Sequence, residues 1–272
     1  MHTVERIAEF LEQLAPPRLA EEWDNVGLLV GDPNRAVRRL MTCLTITPAT
    51  ATEAVDAGAD LIVAHHPLPF RPLRRLTADT PGGRMLLDLI AARIAIYSPH
   101  TAFDSAAQGI NQRLAEGLGL EGIEPLVPDE HGLGSGRWGR IAQSHTLARL
   151  IARVRRFLSI DRLQFVGDLQ QPVRTVAVAC GSAGELLEPA RRLGCDAMLV
   201  GETRFHTCLE AEALGIALVM PGHFASERFA VECLADVLAR QFPELEVWPA
   251  RRERDPVRWN LPQTAPPPSK PV

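Results

Sequence analysis

The feature that most limits what this chain can fold into is an alternation: short apolar runs bounded by turn residues trade places with stretches of helical period. Val26 to Val30, Leu40 to Ile46, Leu61 to Ala64 and Ile94 to Tyr97 read as strands, with helical patterns near 48–58, 82–92 and 105–118 between or after them. The style returns further on, with strands near 162–166, 174–180, 196–200 and 216–220 and helices near 146–157, 183–194, 204–214 and 224–241. Val4, Ile7, Leu11 and Leu14 share one helical face ahead of Pro16-Pro17, so an amphipathic helix opens the chain. Strands that alternate with helices predict an α/β protein.

The chain has 272 residues, 46% of them hydrophobic, which is enough for one large domain or two modest ones, and two lobes are expected. The Gly-rich stretch His131 to Gly136 and the polar run before it break the pattern, so a lobe boundary is expected between about 110 and 135. From Leu261 the sequence runs LPQTAPPPSKPV, which offers little to bury and is expected to be disordered.

A net charge of −4 and a pI near 6.1 argue against a general binder of nucleic acid. The five cysteines are far apart and form no CxxC pair, which points to reduced thiols rather than a disulfide framework or a thiolate zinc site. No long apolar segment and no leader-like start are present, so a cytoplasmic protein without a membrane span is expected.

Chemistry concentrates where apolar runs end. Ile62-Val-Ala-His65-His66-Pro67 closes a strand with adjacent imidazoles, at the place where open α/β sheets carry their sites. An isolated His-His pair more often caps a strand by hydrogen bonding. Adjacent strand residues point to opposite faces, which favours two neighbouring metals over one. Tyr97-Ser-Pro-His100-Thr-Ala-Phe-Asp104 sets a His and a carboxylate beyond the next strand, with Asp104 either a ligand or the N-cap of the helix after Ser105. Pro221-Gly-His223-Phe-Ala-Ser-Glu227 follows another strand and puts His223 and Glu227 at i and i+4 on a helix face.

Imidazole with carboxylate suits zinc, iron, manganese, cobalt or nickel better than calcium or magnesium. Five ligands over two divalent ions leave positions open for water, and hydrolysis is the chemistry that follows. In Gly201-Glu202-Thr-Arg-Phe-His206, Glu202 could act as a general base or as an acceptor behind a ligand, and His206 as an acid or substrate contact; a plain turn into a helix fits equally. Cys180-Gly-Ser-Ala-Gly184 lacks the Lys of a phosphate loop, so tight packing accounts better for its glycines.

Taken together, Glu22-Trp-Asp-Asn-Val-Gly-Leu-Leu-Val-Gly31, Ala64-His-His-Pro67, Ser98-Pro-His-Thr-Ala-Phe-Asp104, Gly201-Glu-Thr-Arg-Phe-His206 and Gly222-His-Phe-Ala-Ser-Glu-Arg228 resemble the Nif-three-like family, also named the type 2 homologs of GTP cyclohydrolase I. The resemblance implies a dinuclear site with His65, His66, Asp104, His223 and Glu227 as ligands, in the cleft between two similar α/β lobes, each with a central sheet. It further implies a ring-shaped homohexamer and the short form without an inserted central domain. The lobes are then expected over 1–115, completed by 225–260, and over 116–224. The implied function is metal-dependent hydrolysis of a nucleotide-like or phosphorylated small molecule. The alternative is a non-catalytic metal-binding or scaffold ring. Two positions depart from the family pattern: Glu202 stands where Asp is usual and Phe205 where Tyr is.

Overall fold

The computed structural model describes residues 2–260; the Pro-rich stretch 261–272, expected above to be disordered, lies outside the described residues. A first run of strands comprises β1 (Gly27–Val30), β2 (Arg39–Cys43), β3 (Leu61–Ala64) and β4 (Ala95–Ser98). A second comprises β5 (Glu121–Glu124), β6 (Arg137–Thr146), β7 (Gln164–Val166), β8 (Pro172–Ser182), β9 (Ala197–Glu202) and β10 (Ala217–Met220). A last strand, β11 (Glu246–Pro249), returns to the first group.

These strands make a five-stranded sheet in the order β11-β2-β3-β4-β1 and a six-stranded sheet in the order β7-β10-β9-β8-β6-β5. In the first, β11, β2, β3 and β4 run parallel; in the second, β8, β9 and β10 do. Parallel strands need crossover helices. The helices are α1 (Val4–Leu14), α2 (Pro48–Asp56), α3 (Pro81–Ala91), α4 (His100–Ser105), α5 (Ile110–Gly117), α6 (Leu147–Leu158), α7 (Leu187–Arg192), α8 (Phe205–Leu214) and α9 (His223–Gln241).

The strand period of two sorts the apolar residues into layers. Ile62 and Ala64 of β3 pack with Leu86 and Leu89 of α3 on one face of the first sheet. Met198 and Val200 of β9 pack with Leu187 of α7 and Ala211 of α8 on one face of the second. The remaining faces share a single core: Leu61 and Val63 join Val178, Leu199 and Val219 through side chains of α1, α5, α6 and α9. Helix α9 touches strands of both sheets, and through Ala230, Leu234 and Leu238 it carries that core.

Most anticipated elements are present within a few residues of the expected bounds. Of the stretch expected as one helix over 105–118 only Ile110–Gly117 is helical, as α5; the separate α4 precedes it and ends at Ser105, and in the turn between them the Gly109 backbone N–H bonds to Ala106 O. The extended segments β5, β6 and β11 were not anticipated. Among the described residues no helix is long and apolar enough to cross a membrane.

Candidate metal centre

The carboxyl ends of the parallel strands in both sheets carry the polar side chains. Beyond β3, the backbone N–H groups of His65 and His66 bond to Cys43 O and Leu44 O at 2.9 and 2.8 Å, so both residues stay tethered to the chain after β2. Ser98 Oγ donates to His65 O at 2.7 Å, tying the end of β4 to the same place. Strand β10 is followed by Pro221 and Gly222, whose φ of +102° suits glycine, and α9 then begins on His223. The i, i+4 spacing brings His223 Nε2 within 3.0 Å of Glu227 Oε2.

His66 Nε2 lies 3.1 Å from the same Glu227 oxygen and 3.3 Å from His223 Nε2. The far nitrogens are engaged: His66 Nδ1 with Thr45 Oγ1 at 2.7 Å, and His223 Nδ1 with Glu202 Oε1 at 3.0 Å. Glu202 accepts from His223 Nδ1 and Thr45 Oγ1 bonds to His66 Nδ1, so both rings are held with Nε2 toward the cluster, the orientation that outer partners give to metal-binding histidines. Glu202 thus serves as the acceptor behind His223.

His65 Nε2 stands 3.5 Å from Asp104 Oδ1, and Cys180 Sγ donates to that oxygen at 3.1 Å. The rings of His65 and His66 approach to 5.1 Å between centroids at 51°. The opposite-face expectation therefore fails for this pair, because the strand ends at Ala64 and the chain bends beyond it. The N-cap reading of Asp104 fails too: it lies within α4, and Gly109 is the N-cap of α5.

His100 belongs to the cluster, although spacing had set it beside Asp104 without making it a ligand. Candidate ligand atoms of His65, His66 and His100 lie within 4.8 Å of one another, as do those of His66, His223 and Glu227. His100 Nδ1 is 2.7 Å from Asp24 Oδ1, and the Asp24 carboxylate also accepts from Thr101 N, Thr101 Oγ1 and Asn25 N. Asp24 was missed because a carboxylate in Glu22-Trp-Asp-Asn reads as a turn residue; only its place in the family motif flagged it. His206, by contrast, is exposed on α8, packed edge-on to Phe205 and without a side-chain hydrogen bond among the described residues.

The charges respond to this crowding. Burial raises Asp104, and the nearby Glu227 carboxylate raises it further, to about 7. Burial alone would raise Glu227 as well, yet hydrogen bonds from His223 and His66 and the charge of His65 hold it well below the usual carboxylate range. The hydrogen bond to Glu227 lifts His223 to about 9, against the opposing effect of burial. Burial drives His65 well below its ordinary value.

Two observations fit the cluster to a cation. Among the described residues neither ring nitrogen of His65 has a hydrogen-bond partner, although its side chain is 1% exposed; a buried imidazole without partners is costly unless something binds it. Gly181, at φ +61°, brings its bare α-carbon against Glu227 Oε1, where a Cβ would displace the carboxylate. Packing explains the first glycine of Cys180-Gly-Ser-Ala-Gly184, as expected. The His and carboxylate cluster can hold a metal ion, and it opens on a cavity of about 760 Å³ lined by His66, His100, Asp104, His223 and Glu227.

An α/β protein of two mixed sheets, with a His and carboxylate cluster at its strand ends, is the class defined so far. The chain belongs to the Duf34/NIF3 (NGG1p interacting factor 3) family, whose profile matches residues 2–256. It is 34% identical over 223 residues to the GTP cyclohydrolase 1 type 2 homolog of Clostridium perfringens, covering 81% of this chain and 85% of that protein. It is 37% identical over 234 residues to the protein of the same name from Streptomyces coelicolor, covering 84% and 82%. The fold matches the crystal structure of a Bacillus cereus protein related to NIF3 with a TM-score of 0.87 at 23% identity, over 95% of this chain and 99% of that one.

Proposed function

We propose that the protein binds two divalent cations through His65, His66, Asp104, His223 and Glu227 and hydrolyses a nucleotide-like or phosphorylated small molecule. The observation that carries this reading is the convergence of side chains from three strand ends: His66, Asp104, His223 and Glu227 line one cavity, and His65 is buried beside them with no hydrogen-bond partner for its ring nitrogens among the described residues. A pair of such ions, when bound, polarises a substrate oxygen and makes water more acidic.

The chain's own groups do the positioning. Thr45 and Glu202 hold His66 and His223 with their Nε2 atoms inward. Glu227, with one oxygen near both imidazoles, would hold a cation together with His66 and His223. Cys180 holds Asp104 by a hydrogen bond, and the core around Phe103 keeps His65 away from bulk water. In this reading the centre lies between two lobes, one built on each sheet. The six-copy ring is taken from the family resemblance.

GTP is the first substrate to test, because the curated relatives carry the name GTP cyclohydrolase 1 type 2 homolog. Elemental analysis of the purified protein, with turnover assays on GTP, other nucleotides and phosphoesters, tests both halves. The expected result is two ions per chain and turnover that His65→Ala and Glu227→Ala abolish. Metal without turnover on any of these compounds sinks the hydrolase half and leaves a metal-binding ring. Turnover equal to that of a metal-stripped control sinks the metal-dependent mechanism.

A further inference from the structure

The turn from Glu21 to Asn25 is pinned at three places. Glu21 N donates to Thr101 Oγ1 at 3.0 Å, Asp24 accepts from Thr101 N at 3.1 Å and engages His100 at 2.7 Å, and Asn25 Nδ2 donates to Pro69 O at 2.8 Å. Amid these ties the indole of Trp23 is left outside, 62% exposed. The tie to Pro69 places Phe70, 43% exposed, opposite it: the two rings are 5.9 Å apart, and each lies about 6 Å from His100. All three rings line the cavity whose floor is Asp104, His223 and Glu227.

Neighbouring exposed aromatic side chains at the mouth of a polar cavity form an apolar patch rimmed by polar groups, the kind of surface that marks a ligand site. We propose that Trp23 and Phe70 form an aromatic lip that stacks a fused heteroaromatic ring of purine size and directs the ligand's polar remainder toward the His and carboxylate cluster. This rests on the nucleotide-like substrate of the reading above and deepens it by assigning the residues that hold the ring. The rings meet at 57°, so the ligand stacks on one face of Trp23 with Phe70 against its edge rather than in a parallel sandwich. A cavity of about 760 Å³ is of the size that takes a nucleotide. Because the lip is fixed by the same turn that orients His100, little ordering is left to be done on binding.

The test is calorimetric titration of the purified full-length protein with GTP and, separately, with inorganic tripolyphosphate, alongside measured metal content. Trp23→Ala and Phe70→Ala are expected to weaken GTP binding, roughly tenfold or more for Trp23→Ala, the scale of base stacking on an aromatic side chain. Trp23→Phe restores most of it, and neither tripolyphosphate binding nor metal content changes. The proposal is overturned if both alanine variants bind GTP like the parent, if tripolyphosphate binding falls in step with GTP, or if the parent binds no GTP. Binding is read without turnover, so an inactive protein that still loses GTP affinity in Trp23→Ala refutes the hydrolase reading and keeps the lip.

Discussion

The Nε2 atoms of His66 and His223 stand 3.3 Å apart, and each lies about as close to one oxygen of Glu227. Two imidazole lone pairs do not meet at that distance without a proton or a cation between them. The hydrogen bond to Glu227 lifts His223 to about 9, so near neutral pH the metal-free protein holds a proton there. Asp104, pushed up by burial to about 7, holds another part of the time. Ligation requires neutral imidazole and ionised carboxylate. Adding zinc to the metal-free protein is therefore expected to release at least one proton per chain, with apparent affinity rising from neutrality to about pH 9. Titrations in buffers of different ionisation heat measure the release; a heat independent of buffer contradicts the ligand set.

Gly181→Ala tests the close approach of the β8 end to Glu227. The new methyl would meet the Glu227 carboxylate at a backbone φ of +61°, which combines overpacking with strain. A loss of roughly 1–3 kcal/mol in unfolding free energy is expected, with metal content well below the parent's. Gly194→Ala is the control: its φ is +68° with open space around it, so it carries the strain without the clash. It should cost about 1 kcal/mol and keep its metal. If Gly181→Ala behaves like Gly194→Ala in both readouts, the contact with Glu227 is not what fixes the glycine.

The buried Asp24 and His100 pair makes a prediction about acid and base. Burial would raise Asp24, but hydrogen bonds from His100 and Thr101 and the charge of His100 hold it at about 2, below its ordinary value. Its stabilising contribution is therefore present above the unfolded carboxylate range and lost as pH falls toward about 2. His100 is displaced the other way: despite burial, its bond to Asp24 raises it, so its share is complete below the ordinary imidazole value and lost as pH rises through the raised one. Asp24→Asn should remove the first dependence, weaken the second, to which Asp104 and Glu227 also contribute, and cost roughly 1.5–3 kcal/mol in mildly acidic solution, the range for a hydrogen bond to a charged group. Urea unfolding across pH reads this directly; parallel stability profiles of variant and parent would refute it.

The sequence disclosed the clustered residues better than it disclosed the sheets. His65-His66, Asp104 and His223 with Glu227 were legible because each follows an apolar run and a Pro or Gly, and strand-end placement depends only on local pattern. The tie between Asp24 and His100 was not, since it joins residues 76 apart through side chains whose local reading is a turn and a loop. Strand β11 was hidden by its brevity and its edge position, ending on Pro249. Strand β6 was hidden by its inward residues: Arg137, Gly139 and Ile141 face the interior, so an arginine and a glycine occupy places where the alternation rule looks for apolar side chains.

That inward arginine has a measurable role. Arg137 is 2% exposed and makes no ion pair with a carboxylate among the described residues; its guanidinium donates to Gln112 Oε1 and to the carbonyls of Gly134, Gly136, Ser105 and Ala106, all within 3.0 Å. Two of those carbonyls end α4, the helix that carries Asp104, where a cation also answers the helix dipole. A planar fork can satisfy acceptors on several sides at once, whereas an ammonium presents three donors from one point. Arg137→Lys is therefore expected to leave buried carbonyls unpaired, cost roughly 3 kcal/mol or more in unfolding free energy, and weaken metal binding by freeing the end of α4. Arg137→Met should destabilise to a similar degree, because the carbonyls, not the charge, set the penalty. Chemical denaturation with metal analysis checks both variants. If Arg137→Lys unfolds within about 1 kcal/mol of the parent and keeps its metal, the guanidinium is not what anchors Asp104.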